Sequence, residues 1–500
     1  MFFEIKEYNH GSYKNRKKVA QTKNTRKTAS TNVGKEQFSS NAEVSIQRGV
    51  WRYIRRSIVS LMKLRTLSAY LVLTLTIVAC NSGGNKEFTT LINKNILSEC
   101  NENLRLAMMR DKFTPPVAAR NYAYANIAAY QSLLAFNSGY KSLANQLNDM
   151  PETPGADTST MNADLVAFTA FTKVATVLTY SEFIVKDFIH LKDSLYTAWL
   201  PESNYQASKK YGEQIADIII EWASRDTFSE SRNFDQFQPA NTVGYWEQTP
   251  PDYSRAIEPN WNRIRPFVIP SADAFKPKRP TAYDSTPGSP FMLEAMEVYQ
   301  AVNDSTPERI AIARFWDDNP NVSHHVGHMM YSTEKPSPAG HWMGITSTAI
   351  RMTDASLAKQ AEAFTSIAIG MHDAFIACWD EKYRSNYIRP ETVINRRIDA
   401  DWRPILQTPA FPEYPSGHSV VSGTLTTLLT YQFGDNFAYT DSTELPFGNQ
   451  PRQFESFKMA ATEACISRQY GGIHFTPAIV EGRTMGDSIG EYINKTISLK

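Results

Sequence analysis

The octapeptide Phe411-Pro412-Glu413-Tyr414-Pro415-Ser416-Gly417-His418 runs straight into an apolar stretch, Val420 to Leu429, whose spacing is helical. Proline, serine and glycine at the head of such a run predict a helix starting at Ser416 and Gly417. The free backbone N–H groups and dipole of a helix start favour an anion. Ser416 adds a hydroxyl, and Gly417, with no Cβ, lets the backbone come close. Two further stretches supply charge. Upstream, Trp379-Asp380-Glu381-Lys382 leads to Arg389-Pro390; downstream comes Ser467-Arg468-Gln469-Tyr470-Gly471-Gly472-Ile473-His474. Lys382, Arg389 and Arg468 together match a tetrahedral oxyanion of two or three negative charges, Arg with planar forked donors and Lys as a point charge. His418 and His474 complete the set, one imidazole to bind or attack the central atom and the other to move protons. Each stretch alone is ordinary: a Lys and an Arg seven apart usually mark a solvated face, and a lone Ser-Gly-His usually caps a helix. All three in this order point to one oxyanion site.

Outward from these motifs the chain reads as helices. Apolar residues recur at three and four over Leu165 to Leu178, Tyr211 to Ala223, Leu357 to Trp379, Val420 to Leu429 and Phe457 to Ile466. Few segments alternate with period two, and Asn-Gly hairpin signals are lacking. The stretch 226–290 is dense in Pro, Asn, Gln and Trp and predicts a long structured loop, with Trp246 and Trp261 covering a core. The expectation is an all-α fold of two packed helical bundles, 104–290 (with the loop) and 291–500 (with the oxyanion site). A faint gapless echo between Ala128–Phe136 and Met371–Trp379 fits two halves.

Composition narrows the class. With 500 residues, 42% hydrophobic and 21% charged, the chain is neither disordered nor collagen-like. The net charge of +1 hides an asymmetry: the 15 basic and 4 acidic residues before Cys80 leave 37 basic and 47 acidic ones in 80–500, a net of −10. So acidic a body excludes a nucleic-acid binder. Residues 62–79 have a short basic head, Met62-Lys63-Leu64-Arg65, and an apolar run too short for a membrane span, ending at Ile77-Val78-Ala79-Cys80. This resembles a bacterial lipoprotein signal. It implies cleavage before Cys80, lipidation of that thiol, and attachment to a membrane outside the cytoplasm, facing the periplasm or at the cell surface. Residues 1–61 are then an extension ahead of the true start or a disordered basic tail, and 80–103 a tether and first helix. Cys378 and Cys465 lie in apolar helical patterns and are expected as buried thiols.

The pattern Lys-x6-Arg-Pro, Pro-Ser-Gly-His and Ser-Arg-x5-His resembles the phosphatidic-acid-phosphatase and vanadium haloperoxidase superfamily, with weaker similarity back to Arg120-Asn121-Tyr122. The resemblance implies an all-α fold with two helical bundles and a bound vanadate, with phosphate able to take the same place. Lys382, Arg389, Ser416, Gly417 and Arg468 would hold the oxyanion's oxygens. His474 would be the axial ligand of vanadate, or the nucleophile on phosphorus, and His418 the acid–base residue. Trp379 and Phe411 match residues the haloperoxidases place near the halide. Phe315-Trp316-Asp317-Asp318 and Gly340-His341-Trp342 also resemble bacterial members, which puts His341 in the pocket wall and Asp317, ahead of Asp318, beside the cations. The implied activity is oxidation of halide by hydrogen peroxide to hypohalous acid, with Lys382 polarising the bound oxidant.

One departure stands out. The family usually has Asp four residues after the last His, and here that place is Ala478; Glu481 or a backbone carbonyl is the expected substitute. Two rival functions share the residues: an acid phosphatase acting on a phosphomonoester or lipid phosphate, and a non-catalytic surface lipoprotein. Against the latter, a scaffold has no use for such concentrated charge. Ser323-His324-His325-Val326-Gly327-His328 would place His324 and His328 on one helix face, but without the further ligands zinc requires.

Overall fold

Most of the long helices begin at a residue that caps its own first turn. Side chains of Asn162, Ser289, Thr306, Ser337, Ser356, Ser416 and Ser456 each accept a hydrogen bond from the backbone amide three residues on. Proline occupies the first turn after Ser289, Thr306 and Ser337, where its missing N–H costs nothing. The computed structural model describes residues 92–320 and 322–500. In order, the longer described helices are α1 (Ile96–Arg110), α2 (Pro115–Leu133), α3 (Ala163–Leu178), α4 (Glu182–Trp199), α5 (Glu202–Ala223), α6 (Pro290–Asn303), α7 (Pro307–Phe315), α8 (Pro338–Met352), α9 (Leu357–Ser385), α10 (Pro390–Arg397), α11 (Gly417–Phe433), α12 (Phe457–Tyr470) and α13 (Thr476–Thr496). Each of the five apolar runs read as helical from the sequence lies within one of these. The basic stretch 1–61, the signal 62–79 and Cys80 lie outside the described residues. Among the described residues no helix is long and apolar enough to cross a membrane.

One large hydrophobic core runs through both halves, from Ile96 and Tyr122 to Leu428 and Ile493. Helices α2 and α9, which carry the faint sequence echo, pack against each other across it. The core is continuous across the residues on either side of 290. The long loop is structured, as its composition implies: Trp246 and Trp261 are buried, and the buried carboxylate of Asp373 on α9 accepts amide hydrogen bonds from Phe267, Val268 and Ile269 at 2.7, 2.7 and 2.9 Å. Cys100, Cys378 and Cys465 are buried free thiols.

The reading of 323–328 as helical is overturned. Ser323–Val326 and Met329–Ser332 form an antiparallel hairpin in the register Val326 to Met329, turning through Gly327-His328. Gly327 adopts a left-handed φ of +59°, as a two-residue hairpin turn requires. His324 stacks on Tyr331 and His325 pairs with Asp252, so no helix face brings His324 and His328 together. A second small hairpin joins Tyr439–Asp441 to Arg452–Phe454.

The site depends most on how α11 meets α13. Gly482, Gly486 and Gly490 recur every fourth residue and form a seam along α13; a Cβ on Gly486 would stand 2.1 Å from the Val420 carbonyl oxygen. Without side chains in the way the two backbones touch, and the start of α13, just after His474, is held beside the start of α11.

Candidate active site

The segment 411–418 is the floor on which the site is built. Ser416 donates its backbone N–H to the Ala478 carbonyl at 3.0 Å, tying the head of α11 to α13, while its hydroxyl caps the Ser419 amide. Lys382 enters from α9, fully buried. Its ammonium donates to the carbonyls of Pro412, Glu413 and Pro415 at 3.1, 3.1 and 2.5 Å. All three protons are thereby turned on the loop that precedes the helix start, and burial lowers the pKa of the amine to about 7.

Arg389, at the cap of α10, donates Nε to the Phe411 carbonyl at 3.0 Å and Nη1 to the Ile473 carbonyl at 2.9 Å; Nη1 also lies 3.3 Å from His474 Nε2. Arg468, from the last turn of α12, brings Nη1 to 3.0 Å from His418 Nε2. Burial lowers both guanidiniums to about 10, offset for Arg468 by the carboxylates of Asp317 and Asp318. His474 is pressed well below its usual pKa, by burial and then by Arg389 and Lys382, and His418 falls to about 4, by burial and then by Arg468. Both imidazoles are neutral at neutral pH.

These residues bound a narrow cleft of ≈ 80 Å³ lined by Trp379, Phe411, Gly417, His418, Arg468 and His474, among others. Lys382 and Arg389 lie behind Phe411, each about 5.0 Å from its ring centroid. Trp379 and Phe411 face each other at 5.1 Å, and the Gly417 Cα carries no side chain between Trp379 and Lys382. Buried polar atoms are almost always paired, yet here Arg389 Nη2, Arg468 Nε and Nη2 and Ser419 Oγ have no partner among the described residues. Unspent cationic donors around a cleft at a helix start fit a small tetrahedral oxyanion.

The sequence reading passed over Glu413, although it stands inside the octapeptide. His474 Nδ1 lies 2.8 Å from Glu413 Oε1, which also accepts the Phe475 amide at 2.9 Å. Glu413 is fully buried, and burial raises its pKa to about 7. It occupies the role for which Glu481 was expected; Glu481 instead lies 3.5 Å from Lys278. Ala478, buried, contributes its carbonyl to Ser416. A lone acid in an otherwise uncharged octapeptide was the available signal.

The two acids of the pair meet different partners, Asp317 the cations and Asp318 the histidines. Asp317 is engaged by Lys335 at 2.6 Å, whereas Asp318 Oδ2 lies 3.7 Å from His418 Nε2. His341 is not in the cleft wall. It lies fully buried behind Asp318, with Nδ1 2.9 Å from Asp318 Oδ1 and Nε2 2.9 Å from Asp441 Oδ2. Asp318, His341 and Glu444 come close enough together to suggest a metal site, but both imidazole nitrogens are already committed to carboxylates.

A family model described as the VCPO second helical-bundle domain matches residues 362–499. No curated protein matches the chain. Among solved structures, a crystal structure described as the first bacterial vanadium-dependent iodoperoxidase is 45% identical, covering 83% of this chain and 99% of its own, with a TM-score of 0.77. Holo and apo forms of a bacterial vanadium-dependent chloroperoxidase share the fold at 15% and 14% identity. They cover 77% of this chain and 92% and 94% of their own, with TM-scores of 0.61 and 0.58. On the site geometry and on 45% identity over nearly the whole of that relative, the chain belongs to the vanadium-dependent haloperoxidase family.

Proposed function

We propose that the chain is a vanadate-dependent haloperoxidase that oxidises halide with hydrogen peroxide, with iodide as its halide. The unpartnered donors of Arg389 and Arg468 flanking His474 and His418 carry the reading; the 45% identity to an iodoperoxidase supports the choice of halide. The overall reaction, X⁻ + H₂O₂ + H⁺ → HOX + H₂O, consumes one proton per turnover. Bound vanadate would supply a Lewis-acidic centre that activates peroxide without changing oxidation state.

The protein's own work is electrostatic and geometric. Arg389, Arg468, the Ser416 hydroxyl and the Gly417 amide would hold the oxyanion, while Lys382, its protons on the loop carbonyls, would add positive charge from behind, each charge strengthened by exclusion of water. Glu413 Oε1 accepts a hydrogen bond from the Nδ1–H of His474, which leaves the lone pair on Nε2 for the cleft, as a ligand requires. Arg389 Nη1, 3.3 Å from that nitrogen, points an N–H at the same lone pair. His418, neutral at rest and beside Asp318, is placed to take up a proton from solvent and pass on the one that the reaction consumes. Trp379 and Phe411 form the apolar side of the cleft, a dry surface suited to a large, weakly hydrated halide.

Vanadate loading followed by halide-dependent oxidation of a dye with peroxide tests the reading, iodide being oxidised in preference to bromide and chloride. Vanadate-inhibited release of phosphate from a phosphoester, without peroxidase activity, would replace it with the phosphatase. The residues 62–80 support a further part of the proposal, a lipid anchor at Cys80 that holds the enzyme outside the cytoplasm. Metabolic labelling with fatty acid, lost in Cys80→Ala, tests it.

A further inference from the structure

Behind His418 the chain builds a row of ionisable groups deeper than proton delivery requires. Asp318, His341 and Asp441 are at most 2% exposed. Asp318 reaches toward His418 at 3.7 Å; His341 Nδ1 lies 2.9 and 3.1 Å from the two Asp318 oxygens; His341 Nε2 lies 2.9 Å from Asp441. A neutral imidazole has one N–H, and an ionised carboxylate can only accept, so both contacts are satisfied together only by the doubly protonated ring. The surroundings agree. Burial alone would lower the His341 pKa, but Asp318 and Asp441 outweigh it and raise it well above the usual value; burial alone would raise Asp318, but His341 outweighs it and holds it low. Trp316 stacks on the imidazole at 4.4 Å and 13° and Phe315 packs at 5.4 Å, so the ring has one orientation.

We propose that His341 is a positioning residue for the haloperoxidase reaction: held between Asp441 and Asp318, it fixes the Asp318 carboxylate in the orientation that backs His418. Three elements converge there, the segment after α7 that carries Asp318, helix α8 that carries His341, and the strand 439–441 that carries Asp441. Breaking a buried pair of this kind leaves an uncompensated charge. Only the link to Asp318 leads on to the cleft, however; the link to Asp441 leads away from it. The two ends of the same ring therefore carry separable consequences. The proposal rests on the haloperoxidase reading for its kinetic consequence, while the protonation of His341 stands without it.

Two near-isosteric variants separate positioning from a structural pin. In His341→Asn the amide nitrogen takes roughly the place of Nδ1 and keeps a donor for Asp318; in His341→Gln it takes roughly the place of Nε2 and keeps a donor for Asp441. Each loses one buried bond, so both should lose thermal stability to a similar degree. Positioning requires that His341→Gln lose about tenfold in kcat, the scale for loss of an outer orienting partner. KM for halide and the vanadate Kd should stay within about twofold, and His341→Asn should stay near wild type in all three. Nitrogen-15 histidine spectra of the vanadate-free protein should show one buried imidazole protonated on both nitrogens at neutral pH, absent from both variants. A singly protonated His341, or kcat falling equally in the two variants, overturns the proposal. Failure of the haloperoxidase reading would instead leave wild type without peroxidase activity while the doubly protonated ring persisted.

Discussion

His474 and Glu413 form a buried pair: Nδ1 lies 2.8 Å from Oε1 of a carboxylate contributed by the loop just ahead of α11, sixty-one residues upstream. The partner of the proposed vanadate ligand thus comes from a different element than the family's usual Asp, whose place is taken by Ala478. Because Glu413 Oε1 also accepts the Phe475 amide, one oxygen fixes both the ring and the backbone that carries it.

Glu413→Ala should weaken vanadate binding by about 10- to 100-fold, the range for loss of a ligand-orienting partner. Glu413→Gln retains an acceptor oxygen and should lose less. Vanadate titration followed by vanadium-51 NMR or calorimetry measures both; equal Kd in wild type and Glu413→Ala would remove the role assigned to this carboxylate.

His474→Ala should abolish vanadate binding, while His418→Ala should leave Kd nearly unchanged and slow turnover by about 10²- to 10⁴-fold, the usual worth of a placed acid–base group. The same titration, combined with peroxide-dependent iodide oxidation, separates the two histidines. Equal vanadate affinity in His474→Ala and wild type would refute its assignment as ligand.

Vanadate affinity should fall as pH rises above about 7. Burial lowers the Lys382 ammonium to about 7 in the free site. A bound anion favours the charged form and raises that pKa, so binding above 7 takes up a proton, and the affinity declines by up to about tenfold per pH unit. Below 7 the lysine is already charged and contributes no slope. Lys382→Met should bind more weakly and lack this part of the pH dependence, so the difference between the two profiles cancels the anion's own titration.

Gly486→Ala should destabilise the fold by about 1–3 kcal/mol, the cost of forcing an extra carbon into a packed contact. Its Cβ would stand 2.1 Å from the Val420 carbonyl oxygen, on backbone that cannot swing aside. Thermal unfolding measures the loss. An unchanged Tm would mean that α11 and α13 can separate without penalty.

The helices were legible because a 3.6-residue apolar period and a self-capping Ser, Thr or Asn are local features that remain when the helices pack. The hairpin 323–332 was not legible, and 323–328 read as helical, because its two strands are four residues each, too short for a period to show, while Gly327 supplies the turn. The motif residues were named from order and spacing; the structure sets Gly417, His418, Arg468 and His474 in the wall of one cleft, with Lys382 and Arg389 against the ring of Phe411 and Ser416 at the head of α11. Their partners were not legible. That Glu413 and not Glu481 meets His474, that Asp318 lies beside His418, and that His341 lies behind the wall rather than in it depend on which side chains two backbones bring face to face. Sequence determined which chemistry the chain carries, since charge, imidazole and a glycine-led helix start are properties of residues in order. Tertiary structure decided who supports whom, because a hydrogen bond is set within a few tenths of an ångström, and that precision comes from packing α9, α11 and α13 against one another across stretches of chain far apart in sequence.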